Sequence, residues 1–404
     1  MLTSGNLDRF RMAVIADAAL QDTLRRCTAD PELVAAALAE AAARSLPLGP
    51  EDLALVLGPQ TPDPQAGFAH MVPLEEAPPP LWLPVALVLR DNALAIEWLP
   101  IPLDGLHHPF FEHSMADIAP LPFTRLMRSV TPLDALDAFA SSPGPDGFVH
   151  HMSRCGSTLV AQMLAAVPEY VSIAEAPVID TMIQLACQGA VSDAQLRNLV
   201  AAVTRTRGAA TTHRFVKLDC WHSLALPVLR RAFPATPWAY LYRDAREVLV
   251  SQQRNPGMHV RKGAVPFAAF GLPNAERVAD EDYAAWVLAH CTAAALRNSE
   301  DPACLPVPYP SLPDALTAEI LPHFGVQTSE AQRRSMEQAS ARNSKQPDQP
   351  FVSDSEAKRS EAEGLPGSEA EARLVEIVAA LDRQRTARSS APARGPAVSV
   401  GYDW

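Results

Sequence analysis

The chain lacks any run of 18 consecutive apolar residues, and its longest apolar stretch, Leu81 to Leu89, carries a proline and is too short to span a bilayer. No membrane segment is expected. It also lacks a basic amino-terminal region leading into an apolar core, so no secretory signal is read. Positive charge is in deficit: 34 Lys and Arg face 46 Asp and Glu, a net charge of -12. A phosphate backbone rewards the opposite balance, which argues against nonspecific nucleic-acid binding, although a local cluster of cations can still take an anionic ligand. The six cysteines (Cys27, Cys155, Cys187, Cys220, Cys291, Cys304) include no C-x-x-C pair. Neither a zinc site nor a disulfide framework is indicated, and a reduced, cytoplasmic protein is expected. What is present is a 48% hydrophobic, 20% charged composition over 404 residues, which suits a globular protein of two or three domains.

Residues 147 to 164, Gly-Phe-Val-His-His-Met-Ser-Arg-Cys-Gly-Ser-Thr-Leu-Val-Ala-Gln-Met-Leu, read as a short buried strand, a tight turn of small residues and a helix. The turn holds Ser153, Arg154, Cys155, Gly156, Ser157 and Thr158: hydroxyls, a guanidinium, and a glycine free to take a positive φ. A helix starting at Ser157 presents its unpaired N–H groups to that turn, so the turn reads as a phosphate cradle. It is not a Walker A loop, which requires lysine directly after the second glycine, where this chain has Ser157. From residue 147 onward strand and helix patterns alternate. Strands are predicted at 171–174, 214–218, 238–242 and 304–309, and helices at 178–187, 193–205, 223–232, 245–253, 280–297, 314–324 and 369–383. Such alternation predicts an α/β fold, a parallel sheet covered by helices on both faces, with ligands at the carboxyl ends of the strands.

The turn resembles the 5′-phosphosulfate-binding loop of the sulfotransferases, which reads Lys/Arg-Ser-Gly-Thr/Ser-Thr before its helix; Cys155 stands in place of the usual serine. A second segment, Trp238-Ala-Tyr-Leu-Tyr-Arg243-Asp-Ala-Arg246-Glu-Val-Leu-Val-Ser251, is similar to the family's Arg-Asp-Pro-Arg-Asp stretch with a serine at the same interval. Ala245 replaces the family proline and Glu247 the second aspartate. Lys217, Phe233-Pro234 and Arg243-Asp244 follow in the family's order, and Pro308-Tyr309-Pro310-Ser311-Leu312 resembles its late Tyr-Glu-Asp-Leu turn without the acidic pair. The resemblance covers roughly 147–325. It implies a P-loop-type three-layer fold and 3′-phosphoadenylyl sulfate (PAPS) as co-substrate. Arg154, Cys155, Gly156, Ser157 and Thr158 would hold the 5′-phosphosulfate, and Arg243 and Ser251 the 3′-phosphate. Lys217 would neutralise charge at the bridging oxygen or orient the donor. Glu175, at the interval of the glutamate in the tyrosylprotein and bacterial branches, would take the acceptor's proton once partial burial lifts its pKa. Asp219 is the second candidate, standing where the cytosolic branch carries a histidine. No metal is implied, since cationic side chains do the work that magnesium does in kinases.

Before this domain, residues 1–59 form an alanine- and leucine-rich helical segment. Asn6-Leu7-Asp8-Arg9-Phe10, Leu20-Gln21-Asp22, Asp30-Pro31-Glu32 and Pro50-Glu51-Asp52-Leu53 there resemble the leader-peptide domains first described near nitrogen-fixation genes, which also precede peptides that modifying enzymes act on; a small helical appendage for docking or dimerisation is an equal reading. Residues 60–80 read as a linker and 81–146 as a small β-containing region, with strands at 82–89 and 93–99 around Arg90-Asp91-Asn92. His107, His108 and His113 match no zinc spacing and are read as packing residues. The α/β domain spans 147–385, with 340–368 a polar flexible loop and 386–404 a disordered tail. The acceptor, a small molecule or a peptide, is not named by the sequence. Two other readings compete: a small-molecule P-loop kinase, which the missing Walker lysine disfavours, and a degenerate nucleotide fold that binds a partner, which Arg154, Arg243 and Ser251 disfavour.

Overall fold

The computed structural model describes residues 5–58, 70–102, 105–106, 108, 110–205, 211–343, 346–350, 355–365 and 367–390. His107, residues 60–69 of the segment read as a linker and residues 391–404 of the tail lie outside them.

Four helices open the described chain: α1 (Gly5–Ala16), α2 (Ala18–Arg25), α3 (Asp30–Ala43) and α4 (Pro50–Leu57). Asp17 starts α2 by accepting the N–H groups of Ala19 at 3.0 Å and Leu20 at 3.1 Å, while prolines in the first turns of α3 and α4 preset the backbone there. Leu7, Phe10, Leu24, Leu33 and Leu53 are fully buried and belong to a core continuous with the rest of the chain.

Next come β1 (Val72–Pro73), β2 (Trp82–Arg90), β3 (Ala93–Pro100), α5 (Phe111–Ile118), α6 (Pro122–Met127) and β4 (Ser129–Pro132), whose strands form a sheet in the order β1-β4-β3-β2. The two-residue turn between β2 and β3 has φ of 50° at Asp91 and 64° at Asn92, the left-handed pair that matches strand twist in a tight hairpin. The end of the segment read as linker is in the sheet, since Val72 pairs in parallel with Ser129. Arg125 Nη1 binds both carboxylate oxygens of Asp30 (3.0 and 2.9 Å), and Arg25 lies 4.7 Å over the rings of Trp82 and Phe123. These contacts join the helical segment to the sheet.

The α/β domain comprises β5 (Gly147–His151), α7 (Ser157–Ala165), β6 (Tyr170–Ala174), α8 (Pro177–Cys187), α9 (Asp193–Val203), β7 (His213–Lys217), α10 (Leu226–Ala232), β8 (Trp238–Tyr242), α11 (Ala245–Arg254), α12 (Asp280–Asn298) and β9 (Cys304–Pro308). Its five strands are all parallel, in the order β6-β7-β5-β8-β9. Every residue of β5 and β8 is buried, as a sheet covered on both faces requires. The chain runs from β5 to β6 and β7 on one side, then crosses to β8 and β9 on the other. The connection reverses at β5, so the crevice beyond its carboxyl end is where such a sheet receives ligands.

The helix predicted at 223–232 begins instead as a 3₁₀ turn, Cys220–Ala225, and becomes α-helical at Leu226, where Pro227 suits a first turn. The stretch predicted as one helix at 314–324 is a π-helical turn, Leu316–Ile320, running into the single turn α13 (Leu321–His323). After α14 (Glu330–Ser340), the segment read as a flexible loop contains an antiparallel pair, β10 (Arg342–Asn343) and β11 (Gln346–Pro350), and a helix, α15 (Ser355–Ala362), packed against α11. Ion pairing supplies the anchor that apolar periodicity does not: Arg254 Nε meets Glu361 Oε2 at 2.9 Å. The last helix, α16 (Glu369–Ser390), extends beyond the predicted 383 and is held to α11 by Arg246 Nε and Glu371 Oε1 at 2.9 Å.

Candidate active site

Each of the five parallel strands delivers a polar or aromatic residue just past its carboxyl end: Arg154 after β5, Glu175 after β6, Asp219 after β7, Arg243 after β8 and Tyr309 after β9. All five line one cleft with a volume of about 400 Å³. Ser153, Cys155, Gly156, Ser157, Thr158 and Ser251 line the same cleft. Sequence-predicted residues separated by nearly a hundred positions are thus brought together.

The turn after β5 is built from backbone in sparsely populated conformations. Ser153 (φ 76°) and Arg154 (φ 52°) are left-handed, as is Gly156 (φ 85°), which caps α7 without a side-chain hydrogen bond. Left-handed geometry at non-glycine residues costs on the order of 1–3 kcal/mol each and is retained where the surroundings enforce it. Here the enforcing contacts are visible. The Ser153 N–H donates to His151 Nδ1 at 3.0 Å, and Gln252 Nε2 donates to Ser153 Oγ at 3.0 Å. Gly156 is required twice, by its φ and by space, because a Cβ there would meet Leu312 Cδ1 at 2.7 Å. The first residues of α7, Ser157 and Thr158, therefore line the cleft, where a helix N-terminus favours negative charge.

Cys155, read as a member of the cradle, contributes backbone only. Its thiol is fully buried and donates to the Leu241 carbonyl at 3.1 Å, and burial pushes it up to about 12. Its side chain fastens the turn to β8. Arg154 is half-buried, and its guanidinium donates to the Asn255 carbonyl beyond α11.

Arg243 is 5% exposed, with Tyr309 stacked 4.1 Å from its guanidinium carbon. The cap of α11 sets its partner. Asp244 accepts the N–H groups of Arg246 (3.0 Å) and Glu247 (2.9 Å), so the helix starts directly after Arg243 and places Glu247 one turn on. Glu247 Oε2 then takes Arg243 Nε at 2.7 Å and Nη2 at 2.6 Å. Glu247 thus clamps one edge of the arginine.

Glu175 and Lys217 depart from expectation. Lys217, with a side chain 2% exposed, is paired with Glu175 Oε1 and lies 5.3 Å from the Phe110 ring, so it reaches the cleft through Glu175 rather than as part of its wall. Burial pushes the Glu175 carboxyl up, but Lys217 and His151, whose Nε2 lies 3.3 Å from Oε1, more than offset this and hold it well below the usual carboxylate range. The expected lift of Glu175 is therefore corrected. Its backbone is also left-handed, at φ 53°. The raised carboxyl is Asp219: burial first, then the charges of Glu175 and Asp180, push it well above its ordinary value.

Three histidines neighbour these carboxylates. His151 accepts at Nδ1 and so donates from Nε2 to the Leu218 carbonyl at 2.9 Å; burial and Lys217 lower its pKa. His259 is pushed down to about 3 by burial and faces Gln252 at 3.2 Å. His222 accepts the Asp219 N–H at 3.2 Å and meets Asp180 Oδ1 at 2.7 Å. Asp180, Asp219 and His222 bring one metal-ligand-type atom each within 4.8 Å of one another. Asp180 also accepts from Trp221 Nε1 (2.8 Å) and Gln184 Nε2 (2.6 Å), so the cluster serves as a network that fixes the loop carrying Asp219.

Sequence reasoning missed Lys358, a buried cation from α15 that lines the cleft, and the use of Tyr309 as the platform under Arg243. The proline-tyrosine turn was the only signal for the second, and a polar stretch gave none for the first. Of the three histidines before the domain, His108 meets Asp117 Oδ2 at 2.6 Å and His113 edge-on at 6.0 Å, a packing arrangement. Among the described residues no helix is long and apolar enough to cross a membrane.

No protein-family model and no curated protein matches the sequence. Solved structures similar to the chain include a sulfotransferase domain from the curacin biosynthetic pathway, at 13% identity over 59% of this chain and 98% of that one, with a TM-score of 0.37. A sulfotransferase domain of the Synechococcus PCC 7002 olefin synthase is similar at 14% identity over 59% of this chain and 95% of its own, with a TM-score of 0.36. A mouse sulfotransferase complexed with PAP is similar at 10% identity over 60% of this chain and 92% of its own, with a TM-score of 0.31.

Proposed function

We propose that the protein is a PAPS-dependent sulfotransferase that moves a sulfuryl group to a hydroxyl or amine of a small-molecule or peptide acceptor and releases adenosine 3′,5′-bisphosphate. One observation carries this reading: the Arg154–Thr158 turn and the Arg243/Ser251 pair line a single cleft at the carboxyl end of one parallel sheet.

In this reading Arg154 and the N–H groups of Gly156, Ser157 and Thr158 hold the 5′-phosphosulfate, with the two hydroxyls as further donors. Arg243, its guanidinium oriented by Tyr309 and Glu247, and Ser251 hold the 3′-phosphate. The sulfur–oxygen bond to the phosphate breaks as the sulfur–oxygen bond to the acceptor forms. Arg154 and the α7 N-terminus stabilise the negative charge that collects on the leaving phosphate. Asp219 takes the acceptor's proton. It is the better base of the two carboxylates because its surroundings raise it toward the working pH, whereas Glu175 is committed to Lys217. Lys217 acts through Glu175 as a positioning residue and adds a positive charge behind the site.

The test is turnover. Labelled PAPS incubated with the protein and hydroxylated acceptors in the presence of a chelator is expected to yield adenosine 3′,5′-bisphosphate and labelled product in equal amounts. Binding without consumption under every acceptor tried would favour the partner-binding reading, and a requirement for ATP and magnesium would favour a kinase.

A further inference from the structure

A second chamber of about 320 Å³ adjoins the donor cleft and shares Phe110, Glu175, Asp219, Trp221 and Met258 with it. Its volume sits at the low end of the roughly 300–1,000 Å³ typical of small-molecule sites. Glu112 of α5 and Asp180 of α8 complete a wall of four carboxylates, Glu112, Glu175, Asp180 and Asp219, between two aromatic rings. Among the described residues, only Glu175 of the four is paired with a lysine or arginine. Asp180 is satisfied by Trp221, Gln184 and His222.

Asp219 is the exception that points to a ligand. It is 8% exposed and lines both chambers, and among the described residues no lysine or arginine nitrogen lies within 4.0 Å of its carboxylate; the nearest basic atom, His222 Nδ1 at 4.0 Å, already accepts the Asp219 N–H. Buried carboxylates ordinarily have donors. Burial raises its pKa first, and negative charge from Glu175, Asp180 and Glu112 beyond what Lys217 cancels raises it further. An anionic acceptor entering this space meets like charge, while a cation relieves it and gains the faces of Phe110 and Trp221.

We infer that this chamber takes the acceptor and that the acceptor is a small hydroxylated organic cation, an alcohol or phenol carrying a protonated amine or a guanidinium. The identification of the occupant as an acceptor rests on the proposed sulfotransferase reading; the preference for a cation does not.

Three isosteric probes separate these statements: 4-(aminomethyl)benzyl alcohol, 4-ethylbenzyl alcohol and 4-(hydroxymethyl)benzoate, titrated calorimetrically into the full chain with and without adenosine 3′,5′-bisphosphate. The ammonium probe is expected to bind at least about tenfold tighter than the neutral one, with the benzoate weakest, and the gap is expected to narrow as salt is raised. Glu112→Gln changes an exposed residue of α5 that has no role in the proposed chemistry. It should cut the ammonium-to-neutral ratio by a factor of about two to three and leave the affinity for 4-ethylbenzyl alcohol unchanged. Equal affinities, a preference unaltered by Glu112→Gln, or no binding of any probe overturns the cation assignment, even where the nucleotide binds. Failure of the nucleotide to bind, with the ammonium preference intact, overturns the sulfotransferase reading and leaves the cation site standing.

Discussion

Replacing Glu175 with glutamine separates the two carboxylates that compete for the role of base. The side chain keeps its size and an oxygen acceptor, but Lys217, 2% exposed, loses the charge it is paired with. Breaking one side of a buried pair costs about 3–5 kcal/mol. Glu175 itself is 24% exposed, so water reaches the site and the lower end, about 3 kcal/mol, is expected. Urea unfolding measures that loss as a lower midpoint at constant slope. The second consequence is electrostatic: the charge of Glu175 is among the causes holding Asp219 up, so its removal lets Asp219 fall toward the ordinary carboxylate range. If Asp219 is the base, turnover persists within about tenfold, and the rising limb of the pH–rate profile moves to lower pH. If Glu175 is the base, turnover drops by about 10²–10⁴ and no shifted limb appears. The second result, with Asp219→Asn retaining near-native turnover, would refute the assignment of Asp219.

Gly156→Ala places a Cβ 2.7 Å from Leu312 in a left-handed residue, so a stability loss of at least about 1–2 kcal/mol is expected. The turn must shift to accommodate it, and nucleotide affinity measured by calorimetry should fall at least about tenfold; unchanged affinity would contradict the cradle. Asp219→Asn has a signed pH dependence. The folded protein keeps the Asp219 proton at pH values where the unfolded chain has lost it, so wild-type stability falls as pH rises from the ordinary carboxylate pKa of about 3.9 through the raised one. Asparagine carries no such cost, so the variant should gain stability relative to wild type across that window in urea unfolding series, and a difference constant with pH would show that Asp219 is not raised.

Local pattern carried much of the fold. The strand Trp238–Tyr242 has the boundaries that its apolar run predicts, and the turn after β5 is announced by small residues between a strand and a helix. Both phosphate-type signatures lie at strand ends because that is where the alternation of strand and helix places loops. What was not legible depends on contacts between distant segments. Glu175 meets Lys217 across 42 positions, and that pair, not burial alone, decides the state of the carboxyl. Tyr309 lies under Arg243, and the acidic chamber needs Phe110 and Glu112 from the region before the α/β domain. Lys358 reaches the cleft from a stretch with no apolar periodicity, on a helix packed against α11.

Calorimetric titration of adenosine 3′,5′-bisphosphate into the wild type and Arg243→Ala, without magnesium, tests the donor site most directly. The account predicts micromolar-range binding by the wild type, weakened at least about tenfold, or 1.4 kcal/mol, by the substitution. No detectable binding by the folded wild-type protein, or equal binding by both, would contradict it.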